Sequence, residues 1–421
     1  MHSIPEREER LGRTAITRGA RALGLRYGDP EEAGLSAVRL DALRARASAW
    51  VEQGLTRSLV YLVARDGVVA AHECFGHLGY EPDAPRLTPD AVFSIASVTK
   101  PITALAVMIL VEEGLLSLNR PLTELLPEIS GRGTRGILVH QLLTHTSGYS
   151  AAAARDRLRA AFAEPWEPQP DASAPHEGIS RLLQACYPLE PSGPPGELSR
   201  YAGVNYLFLG EIVRRVSGRR LEDFARERIF EPLGMHDTSF GLPPSLASRR
   251  VRPDPDIYRG FPDYDPNDPR RLSLPHPAGG VFSTARDMAV LCQMFLDGGR
   301  FGGVEILSPA GVAAMTTNQI PGIGTIDGEG RHVAEASWGL GWMVQGAARW
   351  KRAHGTLQPI GTFYHQGASG AGVWVEPVSG VVGVFLSVLR HMDPETEEFH
   401  WEFDRFQNMV TAAVLPRARR G

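Results

Sequence analysis

The chain has 421 residues, of which 43% are hydrophobic and 22% charged, and these values exclude a disulfide-stapled mini-protein, a collagen-like chain and a low-complexity chain. Its 44 basic and 48 acidic residues give a net charge of -4, without the basic excess typical of nucleic-acid-binding proteins, so we expect a small-molecule partner and no nucleic acid. At roughly 100 to 200 residues per domain, the length fits two or three domains or one large two-lobed catalytic unit.

Lysine and cysteine are both scarce. Lys100 and Lys351 are the only lysines, the other 42 basic residues being arginines, so a lysine in this chain invites a chemical explanation. The three cysteines, Cys74, Cys186 and Cys292, show no metal-ligand spacing and cannot all form pairs. This usage favours a reducing compartment over a secreted disulfide framework.

No stretch of the sequence predicts export or membrane insertion. The first fifteen residues are rich in Glu and Arg and lack the apolar run of a secretory signal. The most apolar runs, Ile102 to Val111 and Val381 to Leu389, fall well short of the roughly 20 residues that span a bilayer. We therefore predict a cytoplasmic protein without membrane partners.

The N-terminal part predicts a helix, a hairpin and a buried helix in that order. Apolar residues recur at helical spacing from Leu40 to Val51, with Ser36 available as a cap. Two runs of strand-forming residues flank Asp66-Gly67, a strong hairpin turn signal. A long apolar segment from Ser97 to Leu116, with Pro101 near its start, predicts a buried helix.

Between about residues 120 and 240 the periodicity is mainly helical. The clearest segments are Ile179 to Cys186, Tyr206 to Val216 and Leu221 to Phe230. Two irregular stretches, Pro165 to Pro175 and Pro253 to Pro277, are candidate lids or rims over a pocket.

Strand signals return late in the chain and a helix ends it. The strands are predicted at Gly339 to Gln345, Gly361 to His365, Gly372 to Glu376 and Gly380 to Leu389, and the helix at Phe399 to Leu415. We predict an α/β (α+β) fold in which a mainly antiparallel sheet is flanked by helices and carries an inserted all-helical lobe. The predicted divisions are an N-terminal extension (1–27), a sheet lobe (28–96 plus 275–421) and a helical lobe (97–274).

Ser97-Val98-Thr99-Lys100 opens the predicted buried helix and is the first candidate for chemistry. Residues three apart on a helix share a face, so the hydroxyl and the amine can meet. A desolvated lysine can lose its proton near neutral pH and activate a serine, which an arginine cannot do. This spacing alone is weak evidence for a catalytic pair. The alternative interpretation is a serine that caps the helix, followed by a lysine exposed to solvent.

Two further segments join this motif. Tyr201 follows a Pro-Gly loop at a loop-to-helix junction, where it is either a packing residue or a phenol whose ionised form Lys100 favours. His365-Gln366-Gly367-Ala368 joins two strand signals, and its small residues and exposed N–H groups can line a cleft and donate to an oxyanion, or else form a simple hairpin turn. The histidines show no metal-ligand spacing, so no metal site is expected.

Together these segments resemble the serine β-lactamase and penicillin-binding-protein superfamily, most closely its class C-like branch. Ser97-Val98-Thr99-Lys100 looks like the nucleophile motif of that branch, Tyr201 like its tyrosine motif and His365-Gln366-Gly367 like its strand-borne third motif, in the expected order. Supporting similarity extends over most of residues 28 to 415, in the segments Leu142 to Gly148, Pro232 to Met235, Gly279 to Asp287 and Trp338 to Trp342.

The resemblance implies the β-lactamase/transpeptidase-like fold and an acyl-enzyme mechanism without a cofactor. Ser97 would attack a carbonyl while Lys100 and Tyr201 move its proton, and the N–H groups of Ser97 and Ala368 would hold the oxyanion. His365 would orient Tyr201 or the substrate, with Gln366 and Gly367 beside it. The active site would lie between the sheet and the helical lobe.

The chain departs from this pattern next to the tyrosine. Where β-lactamases of the branch carry Tyr-Ser-Asn, this sequence has Tyr201-Ala202-Gly203. The missing amide, which in the family helps to hold the substrate amide and the lysine, lowers the expectation of β-lactam or peptide turnover. Family VIII carboxylesterases and related acyltransferases often relax this position, so they are the leading comparison, although a shift of alignment to Tyr206 is an alternative.

The sequence therefore predicts a serine hydrolase that acts on short-chain carboxylic esters of small molecules. Three alternatives remain. The first is an acyltransferase to a small alcohol or amine, the second a class C-like β-lactamase or D-amino-acid peptidase, and the third a non-catalytic binding protein on the same fold. Against the third, the principal reactive side chains Ser97, Lys100 and Tyr201 are all retained.

Overall fold

A computed structural model describes residues 24–163, 176–258, 264–326, 331–347, 354–388 and 402–417 of the chain. Several sequence predictions fall outside these ranges: most of the N-terminal extension (1–27), the irregular stretch Pro165 to Pro175, Lys351, and the first residues of the C-terminal helix predicted from Phe399.

The strands of the described residues are mostly short outside one large sheet. They are β1 Arg26–Tyr27, β2 Ser58–Arg65, β3 Val68–Gly76, β4 Phe93–Ser94, β5 Leu198–Ser199, β6 Ser239–Phe240, β7 Val281–Ser283, β8 Arg300–Phe301, β9 Val304–Glu305, β10 Gly324–Ile326, β11 His332–Val333, β12 Met343–Val344, β13 Phe363–Gly367, β14 Ala371–Glu376 and β15 Val381–Ser387.

The helices alternate with these strands along the chain and are concentrated between β4 and β7. They are α1 Ala37–Glu52, α2 Thr99–Glu112, α3 Leu122–Leu125, α4 Val139–Leu143, α5 Ala151–Ala163, α6 Glu177–Cys186, α7 Gly203–Ser217, α8 Leu221–Ala225, α9 Glu231–Leu233, α10 Pro269–Ser273, α11 Ala285–Leu296, α12 Pro309–Thr316 and α13 Phe403–Ala413.

The large sheet joins the two ends of the sequence. Its strand order is β1-β3-β2-β15-β14-β13-β12, and every pairing except that of β1 with β3 is antiparallel. The hairpin β2-β3 turns at Asp66 and Gly67, whose φ angles of 52° and 86° are the positive values that a tight two-residue turn requires. The predicted hairpin is therefore confirmed.

Helices cover both faces of this sheet, which explains why β2 is buried along its whole length. Side chains of a strand alternate between the faces. Val60 and Leu62 accordingly join the core on the side of α2 and α11, while Leu59 and Tyr61 join an aromatic-rich core beneath α1 and α13. Burial on both faces replaces the half-polar alternation of a surface strand with a continuous apolar run.

The helix α2 lies at the centre of the helical part. Twelve of its residues are buried, from Thr99 to Leu110, and it packs against α7 and α8. The sequence prediction of a buried helix is confirmed, although its first turn is a separate 3-10 turn at Ala96–Val98. Within the described ranges, no helix combines the length and the apolar character needed to cross a bilayer.

The fold class predicted from the sequence is confirmed, and the predicted elements differ mainly at their ends. The strand predicted at Gly339 to Gln345 is reduced to β12, because Gly341 has a φ of 92° and the chain bends there. The stretch Pro253 to Pro277 is largely irregular, with only a 3-10 turn at Pro255–Tyr258 and the short α10 in its described parts.

Candidate active site

Ser97 lies in the sharp turn that leads from β4 into α2. The preceding residue, Ala96, has a φ of 44°, which is unusual for a residue with a side chain. Such backbone strain is found where surrounding structure holds a functional group in place. The turn directs the Ser97 hydroxyl toward Lys100, whose Nζ donates a hydrogen bond of 2.9 Å to the Ser97 Oγ.

Lys100 is buried, with only 2% of its surface exposed, and its Nζ also donates to the carbonyl oxygen of Ala278 at 2.9 Å. Burial disfavours the charged ammonium and lowers the lysine pKa from 10.5 to about 7. A substantial fraction of the side chain is therefore an uncharged amine at neutral pH, able to accept the proton of the serine hydroxyl.

Two threonines of α2 anchor the loop that presents the Ala278 carbonyl. The Thr103 Oγ1 donates to the carbonyl of Pro277 at 2.7 Å, and the Thr99 Oγ1 accepts from the N–H of Val281 at 3.1 Å. Both hydroxyls lie on the buried helix, so the loop is tied to the helix that carries the reactive pair. Sequence reasoning missed these residues, because helical periodicity does not reveal a distant loop as their partner.

His276 stabilises the same loop from within. Its Nδ1 accepts a hydrogen bond from the N–H of Ala278 at 3.1 Å. Burial, with smaller contributions from the charges of Lys100 and Arg271, lowers the His276 pKa from 6.5 to about 4. The imidazole is therefore neutral at physiological pH, as its role as hydrogen-bond acceptor requires.

Tyr201 reaches the nucleophile from the loop before α7. The Lys100 Nζ lies 4.8 Å from the centre of its ring, and its hydroxyl is near enough to Ser97 for that side chain to lower the tyrosine pKa, by less than burial raises it. Although 43% of the residue is exposed, desolvation around the hydroxyl raises its pKa above the ordinary value. The sequence interpretation is a phenol whose ionised form Lys100 favours; here burial has the larger effect, so the neutral phenol predominates and can donate or relay a proton.

Tyr206, the alternative in the sequence alignment, occupies a structural position. Its hydroxyl donates to the carbonyl of Leu143 at 3.2 Å, and its side chain is fully buried. The Lys100 Nζ is 5.7 Å from its ring centre, farther than from the ring of Tyr201. Tyr201 is thus the tyrosine that the structure brings to Ser97.

His145 supports the Tyr201 segment from behind. Its carbonyl accepts from the N–H of Arg200 at 2.7 Å, and its Nδ1 accepts from the N–H of Ala202 at 3.2 Å. Its ring centre lies 4.6 Å from that of Tyr201 and 4.7 Å from that of Trp338. A buried histidine with a φ of 59° thus fixes the backbone on both sides of the tyrosine, a role that sequence spacing did not indicate.

The end of β13 closes the site on the other side of Ser97. A Cβ atom on Gly367 would lie 2.3 Å from the carbonyl oxygen of Ile95, so only glycine lets the strand approach the turn that carries the nucleophile. Ala368 follows in the tight turn between β13 and β14. The third predicted segment is therefore brought next to the first.

His365 and Gln366 differ in exposure on β13. His365 is only 1% exposed and its ring centre is 6.4 Å from that of Tyr201, while its Nδ1 lies 2.8 Å from the Gln366 carbonyl oxygen. From the sequence, we expect His365 to orient either Tyr201 or the substrate. Because the side chain is buried, the first of these roles is favoured. Gln366 is partly exposed.

Gly203 is the first residue of α7, at the position where the family has its asparagine. The amide closest in sequence, that of Asn205, is buried: its Oδ1 accepts from Ser147 at 2.7 Å and its Nδ2 lies 3.2 Å from the His145 Nδ1. A Cβ at Gly203 would meet the Ala278 methyl at 3.7 Å, an ordinary contact. Space for a side chain therefore exists.

Among the described residues, no group of three or more histidines, cysteines and carboxylates could hold a metal ion. The arrangement around Ser97 instead combines a hydroxyl, a low-pKa amine bonded to it and a neutral phenol beside them. Such a set can activate the hydroxyl for attack on a carbonyl carbon.

Comparisons with known proteins agree with this geometry. Residues 43–403 match the family model described as "Beta-lactamase". The chain is 30% identical over 327 residues to penicillin-binding protein 4 of Amycolatopsis lactamdurans, covering 75% of this chain and 77% of that protein.

Among solved structures, the chain is similar to a family VIII carboxylesterase, with a TM-score of 0.69, 22% identity, and coverage of 90% of this chain and 98% of the other. It is also similar to EstCE1, described as a hydrolase with promiscuous acyltransferase activity, with a TM-score of 0.68, 20% identity, and coverage of 90% and 98%. At these identities the structural matches establish the fold.

Proposed function

The chain belongs to the beta-lactamase family of serine hydrolases, and on this premise we propose that it hydrolyses short-chain carboxylic esters of small molecules through an acyl-enzyme on Ser97. The observation that carries the proposal is the buried contact of 2.9 Å between the Ser97 hydroxyl and a lysine whose pKa is lowered to about 7. The proposed reaction uses side chains, backbone N–H groups and water.

In the proposed first half-reaction, the neutral amine of Lys100 takes the proton of Ser97 as the Oγ attacks the ester carbonyl carbon. The backbone N–H groups of Ser97 and Ala368 donate to the oxygen that becomes negatively charged. The tetrahedral intermediate then expels the alcohol, which receives its proton from the Tyr201 hydroxyl, and Tyr201 is reprotonated by Lys100.

In the second half-reaction water replaces the alcohol. Tyr201 and Lys100 remove a proton from the water molecule as it attacks the acyl carbon, and Ser97 recovers its proton when the acid leaves. An added alcohol can compete with water at this step, so product analysis with an acceptor separates hydrolysis from acyl transfer.

The preference for esters over amides rests on Gly203. An amine is a poor leaving group, so an amide substrate must be positioned by hydrogen bonds to its N–H and C=O groups. Gly203 has no side chain that could form such a hydrogen bond. Esters expel a better leaving group and need less positioning. β-Lactam or D-amino-acid peptide hydrolysis is the second candidate, favoured by the 30% identity to a penicillin-binding protein.

The test compares p-nitrophenyl butyrate with a chromogenic cephalosporin, each with the wild-type protein and with Ser97→Ala. We expect ester turnover that falls by about 10³-fold or more in the variant, because no nucleophile remains, and little cephalosporin turnover. Full esterase activity in Ser97→Ala would contradict the proposal. Dominant cephalosporin turnover would favour the second candidate. If neither substrate is turned over, a non-catalytic binding role would be favoured.

A further inference from the structure

A cavity of about 350 Å³ lies beside the nucleophile turn. Ala96, Gly279 and Ala368 form the part of its wall that is shared with the site, and the irregular stretch after β6 supplies much of the rest. The pocket rim expected of Pro253 to Pro277 is thus present in its described residues, which include Tyr258 and Tyr264. The volume suits a small ligand group.

Arg250 brings a positive charge into this cavity, and no ion pair balances it within the described part of the chain. The residue is 7% exposed, and its Nη2 donates to the carbonyl of Pro266 at 3.1 Å and to the side chain of Asn267, both neutral acceptors. Burial lowers its pKa to about 10, so the guanidinium stays charged at neutral pH. Its Nε has no hydrogen-bond partner among the described residues.

The other charges near Arg250 do not neutralise it. Arg252 points to a different partner, Glu81, with which it forms a salt bridge of 2.9 Å. Asp265 is exposed and acts on Arg250 only as a more distant charge, without an ion pair. A second guanidinium, that of Arg271, also lines the cavity and stacks on the ring of Tyr264. The charged side chains among the described lining residues are thus the two arginines Arg250 and Arg271.

A second unsatisfied group lies on another part of the wall. The Oγ of Ser369, the residue after Ala368, is buried and has no hydrogen-bond partner in the described part of the chain. Buried polar groups without partners are uncommon in native proteins and call for an explanation. A ligand group that accepts hydrogen bonds is the partner that each of these two donors, the Ser369 hydroxyl and the Arg250 guanidinium, lacks. The apolar side chains of Phe93, Val251 and Phe282 form an apolar part of the same wall.

The position of the cavity indicates which half of an ester it takes. In the proposed mechanism Tyr201 protonates the departing alcohol, so the alcohol lies on the side of Tyr201 and Lys100. Ser97, Lys100 and Tyr201 do not line the cavity, whereas Ala368, the proposed oxyanion donor, does. Because the acyl chain extends away from the leaving group, it would enter the cavity past Ala368.

Building on the proposed esterase function, we propose that this cavity is an acyl-binding subsite for esters whose acyl chain ends in a carboxylate, held by Arg250 and Ser369. A carboxylate matches the forked donors of a guanidinium and accepts further hydrogen bonds from a hydroxyl. The preferred substrates are thus half-esters of dicarboxylic acids, with an alkyl segment lying along the apolar wall.

The test uses two substrates that differ only in this charge, mono-p-nitrophenyl adipate and its methyl ester. We expect the wild-type kcat/KM to be about 10- to 100-fold higher for the anion, the effect of a hydrogen-bonded charge pair. Arg250→Leu should reduce this ratio to near one, and Ser369→Ala should reduce it by about 3- to 10-fold. Arg252→Leu, which removes a charge paired outside the cavity, is the matched control and should keep the wild-type ratio.

Failure of this inference is distinguishable from failure of the proposed function. Turnover of both substrates that depends on Ser97, with a ratio near one, would overturn the subsite and leave the esterase intact. If neither substrate is turned over, calorimetric binding of monomethyl adipate to Ser97→Ala decides: binding that Arg250→Leu weakens and Arg252→Leu does not supports the subsite, and absence of binding overturns it. Should Arg250→Leu fail to fold, Ser369→Ala provides the same comparison.

Discussion

Lys100 determines the pH range in which the site can work. Its folded pKa of about 7 lies below the unfolded value of 10.5, and the reactive form is the deprotonated amine. We predict that kcat/KM for p-nitrophenyl butyrate rises with pH through about 7 and then levels off. Because the unfolded chain holds this proton more tightly, the same titration also makes the free energy of unfolding increase from about pH 7 to 10.5.

The pH profile of kcat/KM, with Lys100→Arg as the matched variant, tests this prediction. Arginine keeps its proton, so activity should fall by about 10²-fold or more at every pH instead of shifting its midpoint. A profile that stays flat between about pH 5 and 9 would show that Lys100 is not the group that titrates.

Gly203 is the position at which a single substitution tests the proposed substrate preference. The position tolerates a side chain, since a Cβ there makes only an ordinary contact at 3.7 Å with Ala278. We predict that Gly203→Asn raises cephalosporin kcat/KM by up to about 10-fold, because the new amide can hydrogen-bond to the substrate amide.

The control for this substitution is Gly203→Ala, which adds the Cβ without the amide. It should leave cephalosporin turnover at the wild-type level, and equal gains in both variants would assign the effect to the backbone of α7 instead of the amide. Assays of purified proteins with the same chromogenic cephalosporin provide the comparison.

At the scale of elements, the site depends on how closely β13 approaches the turn before α2. A methyl group on Gly367 would collide with the backbone oxygen of Ile95 at 2.3 Å, and backbone atoms cannot move aside as a side chain can. We predict that Gly367→Ala displaces β13 and lowers kcat by about 10²-fold, the loss typical of a misplaced oxyanion donor.

Gly136→Ala is the matched control for this prediction, because no atom lies within 4 Å of the added methyl. It should keep wild-type kcat. Circular dichroism would check that both variants remain folded, and a folded Gly367→Ala protein with normal kcat would contradict the proposed role of this strand edge.

At the scale of the whole molecule, the two chain ends are joined through α1, α13 and the sheet between them. The N–H of Ser36 donates to the carbonyl of Ala413 at 2.8 Å. The ring of Phe406 packs against the rings of Tyr61, Trp374 and Phe385. The sheet that positions β13 is therefore stabilised by α13, the last of the described helices in chain order.

We predict that Phe406→Ala lowers the free energy of unfolding by about 3–5 kcal/mol, because it leaves a cavity in this aromatic core. Urea denaturation of purified protein measures the change. Val378→Ala, at a position that is 60% exposed, should change it by less than about 0.5 kcal/mol. If Phe406→Ala also changed the free energy of unfolding by less than about 0.5 kcal/mol, α13 would contribute little to the stability of the sheet.

The sequence by itself determined the fold class and the reactive pair. Strand-forming runs around Asp66-Gly67 predict the hairpin, and the serine and lysine lie three positions apart at the start of a helix, so local periodicity already places their side chains on one face. These features depend on residues close together in sequence, where backbone geometry leaves few choices.

Only the tertiary structure decided what surrounds that pair. The Ala278 carbonyl, the supporting ring of His145 and the cavity with Arg250 come from segments far from Ser97 in sequence. The depression of the Lys100 pKa likewise requires complete burial, which a helical pattern does not measure. Desolvation and long-range hydrogen bonds are properties of packed neighbours, so they appear only when the chain is folded.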